Sequence, residues 1–273
     1  MKILVCIKQV PADNNIEFDQ KTGRIIRKNN EMRINPLDLY AIEEGLALKD
    51  RFGGEVLVMT MGPESSKDII VEAISLGVDN GVILSDRRFA ASDVLATSRT
   101  LKSGIEVLGD FDVVLSGRES VDGSTGILLG ELGERLSIPT LHNVSEIIDI
   151  KNDVIEALTV EDENKVRIKV KLPVAMSVLD GANEPRFPDY VQLLRGENTE
   201  IKILTLDDFS DKDENHYGLS GSESIVTRVY KDEKENTIDF NVSSNKGSNE
   251  KWTGTAVELA GKLENKLKEI KFL

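Results

Sequence analysis

The stretch 113–136 constrains this chain more than any other. A short apolar run, Val113-Val114-Leu115, meets a turn rich in glycine and hydroxyl side chains, and a leucine pattern follows at Leu128, Leu129, Leu132 and Leu136. An unbroken apolar run marks a strand buried on both faces, and leucines spaced by three and four mark one face of a helix. A strand that opens through small residues into a helix leaves unpaired backbone N–H groups at the helix start, and phosphate is a common guest there. The turn therefore points to a nucleotide; a plain connection that binds nothing is the alternative.

The same unit recurs upstream. Residues 2–7 are a continuous apolar run, read as a buried parallel strand. Asn35-Pro36 starts a helix, with Asn35 as its cap, Pro36 at its first position, and Gly53-Gly54 at its end. A strand at 55–61 closes on Gly62-Pro63, and Ser65 or Ser66 caps a helix carrying Ile69, Ile70, Ala73 and Ile74. Another strand is expected at 81–85 and another helix at 92–108, capped by Ser92. A small hairpin is expected at 16–26. This alternation predicts an α/β chain built on a doubly wound, mostly parallel sheet of the Rossmann-like, adenine-nucleotide-binding type. Ligands of such sheets sit beyond the carboxyl ends of the strands. The turns at 6–10, 61–63, 85–92 and 116–126 all fall on that edge.

After Pro139 the pattern changes. Runs at 145–150, 154–160 and 165–178 read as strands of a small β appendage; Val166, Ile168, Val170 and Leu172 alternate with charged residues, giving one wet and one dry face. Residues 207–251 are polar and read as an extended arm. The arm ends in an amphipathic helix at 255–272, with Val257, Leu259, Ala260, Leu263, Leu267 and Ile270 on its apolar face. The expected organisation is an α/β nucleotide-binding domain at 1–195, with a partner-docking segment at its end, and a C-terminal arm and helix at 196–273.

Charge and composition narrow the function. A formal charge of −14, from 34 basic and 48 acidic residues, argues against nucleic acid as a partner. The single cysteine, Cys6, excludes an internal disulfide and a cysteine-built metal centre, and the two histidines, His142 and His216, leave little for metal or acid–base chemistry. The apolar start at 1–7 is too short for a signal peptide or a membrane span, so a cytoplasmic protein without membrane insertion is expected.

Three stretches together resemble the beta (small) subunit of electron-transfer flavoproteins. The first is Val5-Cys6-Ile7-Lys8-Gln9-Val10-Pro11, followed by Ile34-Asn35-Pro36-Leu37-Asp38 and Ala41-Ile42-Glu43-Glu44. The second is the turn Gly117-Arg118-Glu119-Ser120-Val121-Asp122-Gly123, and the third joins Lys171-Leu172-Pro173 to Asn183-Glu184-Pro185-Arg186-Phe187. Residues 84–98 are similar to the anaerobe-type branch, many of whose members hold a second FAD in this subunit and take electrons from NADH by flavin-based bifurcation. Other branches place AMP in the same cavity with a structural role.

The resemblance implies an electron-carrier subunit, NADH-oxidising only when complexed with an alpha subunit that carries the shuttling FAD. It implies no catalytic side chain here. A nucleotide pocket is implied at Cys6, Ile7, Asn35, Met61, Gly62, Phe89, Asp93, Thr97 and the turn from Gly117 through Arg118, Glu119, Ser120, Val121, Asp122, Gly123, Ser124, Thr125, Gly126 and Ile127 to Leu128. Backbone N–H groups at 123–126 and the Thr125 hydroxyl are the expected phosphate donors. Arg186, Phe187, Tyr190, Leu193 and Leu194 form the implied docking patch for an acyl-CoA or related flavin dehydrogenase. The turn departs from the bifurcating pattern at Ser124, where relatives carry Asp, and at Ile127, where they carry Gln. An ATP pyrophosphatase-like enzyme on the same kind of sheet needs a Ser-Gly-Gly-x-Asp-Ser loop, and Lys8-Gln9-Val10-Pro11-Ala12-Asp13 stands there instead. A nucleotide sensor without redox partners is the third reading.

Overall fold

The buried strand runs of the sequence need helices on both faces, and the chain supplies them in order. The structure is a computed structural model that describes residues 1–12, 32–162, 164–224, 238–243 and 249–269. The expected hairpin at 16–26, much of the arm and Ile270 lie outside the described residues. Along the chain come β1 (Lys2–Cys6), β2 (Gln9–Pro11), β3 (Met32–Ile34), α1 (Pro36–Phe52), β4 (Glu55–Met61), α2 (Lys67–Ser75) and β5 (Asn80–Leu84). Then follow α3 (Val94–Leu108), β6 (Val113–Gly117), α4 (Leu128–Leu136), β7 (Thr140–Lys151), β8 (Val154–Glu161), β9 (Asn164–Lys171), β10 (Val174–Val178), α5 (Tyr190–Asn198) and β11 (Lys202–Leu204). The last described elements are β12 (Ile238–Ser243), β13 (Asn249–Gly254) and α6 (Ala256–Glu269).

One sheet has the order β11-β5-β4-β1-β6-β10-β7-β8-β9. Neighbours from β11 to β7 are parallel, and β8 and β9 are antiparallel. Strand β1 sends Ile3 and Val5 to one face, where α1 and α2 place Ile42, Leu46, Ile70 and Ile74. It sends Leu4 and Cys6 to the other, where α3 and α4 place Leu101, Ile105, Leu129 and Leu132. The chain is thus an α/β, doubly wound, mostly parallel sheet, and its β appendage is the antiparallel edge β7-β8-β9 of that same sheet.

Two sequence readings change here. The run 165–178 is two strands, divided at Leu172-Pro173. Strand β9 stays at the edge with alternating exposure, while β10 is buried along its whole length between β6 and β7. The charges that keep one face of β9 in water stop at Lys171, and Val174-Ala175-Met176-Ser177-Val178 carries none. The cap of α3 is Asp93, whose carboxylate accepts from Ala96 N, while the Ser92 hydroxyl donates to Phe89 O.

Among the described residues, the first compact unit takes in 196–224 as well as the strands and helices before them. Strand β11 pairs with β5 at the sheet edge, and the Phe89 ring stacks on Phe209 at 5.4 Å between centroids and meets Tyr217 at 5.7 Å. Both partner rings are buried, and the Tyr217 hydroxyl donates to Asp211 O at 3.0 Å. Residues read as the root of a loose arm therefore close this unit's core. In the second unit, β12 and β13 form a hairpin on which α6 packs. Thr255 and Glu258 make a capping box at the start of α6, and Leu259 is buried while Val257 is 83% exposed.

A chain ending at 226 should unfold in urea as one cooperative transition, whereas a chain ending at 195, with Phe89 uncovered, should lose cooperativity. In the full-length protein Phe209→Ala should cost about 3–5 kcal/mol, the usual range for emptying a buried aromatic site; a loss under about 1 kcal/mol would return the boundary to 195.

Candidate functional site

Parallel register brings three strand ends to one level. Cys6 at the end of β1 lies opposite Met59 of β4 on one side and Ser116 of β6 on the other. From β1 the chain turns to α1 on one face; from β6 it turns to α4 on the opposite face. The strand order reverses between these neighbours, which opens a crevice beyond their carboxyl ends. Cys6, Ile7, Met61, Gly62 and the loop 118–127 all reach this edge. The Cys6 thiol is buried, and burial together with the nearby Asp38 charge pushes it up to about 12, so it is a neutral packing group.

The loop after β6 is held from the start of α1. The Asn35 amide does not cap its own helix. It donates instead to Glu119 O at 2.9 Å and accepts from Val121 N at 3.1 Å. Asp38, in the first helical turn, accepts from Lys8 N at 2.8 Å and from Gly117 N at 3.2 Å. Gly117 is required for that approach, because a Cβ there would lie 2.6 Å from the Asp38 carboxylate and 2.7 Å from Leu37 O. The Lys8 ammonium crosses the crevice to Asp122 at 2.6 Å and donates to Ser120 Oγ at 3.3 Å.

The expected phosphate donors divide into two groups. Gly123 N and Ser124 N are spent inside the turn on Ser120 O, at 3.2 and 2.7 Å. Among the described residues no group accepts from Thr125 N or Gly126 N, and the first N–H groups of α4, beginning at Leu128, follow directly. Gly126 has φ +65° and Ser124 φ +46°, so the loop turns through left-handed backbone just before the helix. Ser124 and Thr125 are exposed, and Ile127 is exposed as well, presenting an apolar side chain at this edge.

The stretch 86–97 is placed differently from expectation. Phe89 is a core ring at 3% exposure, already packed against Phe209 and Tyr217. Asp93 caps α3, and its second oxygen accepts from Glu223 N and Ser224 N, both at 2.9 Å. Burial raises the Asp93 carboxyl, but these backbone bonds outweigh it and hold the carboxyl below its usual range. Its polar capacity is therefore spent on the protein. Thr97 is half-buried on the next turn of α3. Nearby, Asp86 is drawn down to about 2, chiefly by the Arg88 guanidinium bound to it. A separate cavity of about 350 Å³ is lined by Arg99, Lys102, Ser103, Arg135, Asp211 and His216, none of them a predicted site residue.

The expected docking residues lie on and beside α5, which packs on α2 and follows a segment anchored to α1. Asp189 caps α5 through Val191 N and Gln192 N, and Gly196 lies flat on α2, where a Cβ would stand 3.1 Å from Val71 O. This leaves Phe187 at 93%, Tyr190 at 72% and Val191 at 70% exposure, with Leu194 exposed and Leu193 half-buried. Val191, next to Tyr190, was not among the expected docking residues. Arg186 does not join the patch: its guanidinium forks onto Glu43 with two bonds of 2.9 Å and reaches Asp50 at 3.0 Å. Asn183 donates to Tyr40 O and to Glu44.

The electron transfer flavoprotein domain matches residues 22–208. An electron transfer flavoprotein subunit beta from Clostridium acetobutylicum is 36% identical over 228 residues, 84% of this chain and 87% of that protein. The caffeyl-CoA reductase-Etf complex subunit CarD of Acetobacterium woodii is 36% identical over 272 residues, 98% of both chains. Protein FixA of Azorhizobium caulinodans is 35% identical over 250 residues, 88% of this chain and 89% of its own length.

The chain belongs to the electron transfer flavoprotein family, as a beta subunit of the anaerobe-type branch.

Beta subunits of this family pair with an alpha subunit. No helix among the described residues is long and apolar enough to cross a membrane. In this beta subunit the likeness has physical content. Glu43-Glu44 and Asn183…Arg186, two of the stretches that carry it, are bonded to each other as one staple.

Asp38 offers a direct check on the brace. Burial pushes its carboxyl from an ordinary 3.8 up to about 7, against the pull of the Asn35 amide, the Lys8 and Gly117 N–H groups and the Lys8 charge. An acid with a raised folded pKa holds its extra proton in the native state. Its stability contribution is therefore full below 3.8 and is lost as pH rises through about 7. Across that window the loss amounts to about 4 kcal/mol, at about 1.4 kcal/mol per unit. The stability of Asp38→Asn relative to the native protein should rise between pH 5 and pH 8; denaturant titrations in which the two curves stay parallel would refute the burial argument.

Proposed function

We propose that this beta subunit binds an adenine nucleotide in the crevice between the loop after β1 and the loop after β6. The reading rests above all on the free Thr125 and Gly126 N–H groups, held at a braced strand-to-helix turn at the switch point of the sheet. The donor set suits a phosphate: two backbone N–H groups, the start of α4, and the Thr125 hydroxyl, the Ser124 hydroxyl being turned to Ser120 O. Strand ends at Cys6, Ile7, Met61 and Gly62 would flank the nucleoside through backbone groups. Asn35 would serve the site through the loop it holds.

We favour FAD as the nucleotide, with NADH as the electron donor and flavin-based bifurcation as the activity. The similarity to CarD, a subunit of a caffeyl-CoA reductase-Etf complex, supports that choice. When bound, a flavin supplies the redox chemistry, and the chain's own residues bind, orient and exclude water. Electrons pass through the alpha-subunit FAD to or from a dehydrogenase of acyl-CoA type. The second reading is a structural AMP, favoured by Ile127, which removes one side-chain partner for a larger dinucleotide. The exposed Val257 of α6 and the arm fit a role in holding the alpha subunit, in the cytoplasm.

Released cofactors of the copurified heterodimer should count to two FAD, with bleaching by NADH; one FAD and one AMP would sink bifurcation and leave the AMP reading. At the docking face, a Tyr190→Ala, Leu194→Ala double variant should raise KM for the dehydrogenase about tenfold or more, as loss of an aromatic anchor does, with bound nucleotide unchanged. Unaltered coupling would move the docking surface elsewhere.

A further inference from the structure

Asp38 is an unusual choice of residue for its position. A carboxylate buried to 5% exposure normally has an Arg or Lys head group against it. Lys8 is beside it, yet the Lys8 ammonium turns away to Asp122 and Ser120, and Asp38 receives the Lys8 backbone N–H instead. Its other bond comes from Gly117 N, on the neighbouring strand. These two donors belong to the two chain segments that leave the sheet in opposite directions.

We propose that Asp38, seconded by Asn35, is the positioning residue of the nucleotide site. From the first turn of α1 it clips the loop after β1 to the root of the loop after β6, and so sets the spacing of the phosphate-facing N–H groups without touching the nucleotide. The inference rests on the nucleotide reading above. Asn35 extends the same grip to Glu119 O and Val121 N, so the start of α1 holds the end of β6 at Gly117 and the loop at its second and fourth residues. Lys8 carries the brace to the far side through Asp122. The free N–H groups of Thr125 and Gly126 begin just beyond that point.

The brace depends on charge. An ionised carboxylate accepts both N–H groups strongly, one on each oxygen, whereas protonation leaves one of the two to a hydroxyl oxygen, a poorer acceptor, and weakens that bond. Among the described residues, the groups around Asp38 are the Cys6 thiol of β1, neutral and buried, the Lys8 N–H with its ammonium turned away beyond it, the Asn35 amide at the start of α1, and the Gly117 N–H of β6; Asp122 stands behind Lys8. With the Asp38 carboxyl pushed up to about 7, the brace should loosen between pH 8 and pH 6. Asn at this position accepts one N–H and opposes the other, so it imitates the loosened form at every pH.

The test uses the full-length subunit copurified with its alpha partner, stripped of nucleotide, and titrated calorimetrically with AMP and with adenosine at pH 8 and pH 6. Asp38→Asn should bind AMP about tenfold more weakly than the native protein at pH 8, as expected for one lost bond to a charged acceptor, with adenosine affinity unchanged. At pH 6 the AMP ratio between the two proteins should shrink toward one, a comparison in which the titration of AMP itself cancels. Asn35→Ala, which keeps the carboxylate, should lose AMP affinity by the same factor at both pH values. Equal weakening of adenosine would make Asp38 a direct nucleoside contact and overturn the proposal. So would undiminished AMP binding by both variants. Native protein that binds neither ligand at pH 8 would instead remove the nucleotide reading, and this inference with it.

Discussion

Helix α1 lies directly across β1, β6 and β10, and most of what is functional in this subunit hangs from that contact. Ala41, Ile42, Leu46 and Leu48 bury its inner face, and Gly45 lets the backbone come down until Val5, Val56 and Ile3 stand within 3.5 Å of where a Cβ would be. A helix fixed so closely cannot slide, so its polar ends act as rigid arms. One end carries Asn35 and Asp38 to the crevice. Toward the other, Glu43, Glu44 and Asp50 grip Asn183 and Arg186 and thereby aim the exposed helix α5. The strand-end loops and the segment leading into α5 are thus set by a single buried element.

This arrangement suits an electron carrier. Among the chain's described residues no group of His, Cys, Asp and Glu is placed to hold a metal ion. What the chain supplies is position: strand ends in register, a loop pinned at three points, and N–H groups left unpaired where the pinning stops. Preorganised dipoles of this kind cost nothing to reorient when charge arrives. The chain's large negative charge is compatible with this, because the donors at the crevice are backbone groups whose dipoles do not depend on net charge.

A second rigid point lies at α3. Asp93 closes the start of that helix and, with its other oxygen, holds Glu223 and Ser224, while Phe209 and Tyr217 close over Phe89. The chain therefore leaves the first unit from a fixed place. The aromatic trio also shows why sparse aromatics matter here: in a core of Val, Ile, Leu and Ala, three rings in mutual contact, one pair stacked and two tilted, are a local concentration of buried area.

The fold was legible in the sequence wherever the deciding interactions are local. Unbroken apolar runs produced strands at 2–6, 55–61 and 80–84, and glycine after an apolar-faced run ended α1, because burial period and helix termination are properties of neighbouring residues. The turn after β6 and the strand-end loops were legible for the same reason, and family likeness supplied their order. What only the tertiary structure decided were the partners. Asn35 has the sequence of a helix cap, yet its amide is taken by a loop that lies far along the chain. Phe89 and Asp93 read as ligand contacts until Phe209, Tyr217 and residues 223–224 fold over them. Arg186 reads as an exposed anchor until Glu43 arrives. A polar or aromatic side chain announces its capacity in the sequence, but which group satisfies that capacity depends on what the fold brings within 3 Å, and no local pattern encodes that.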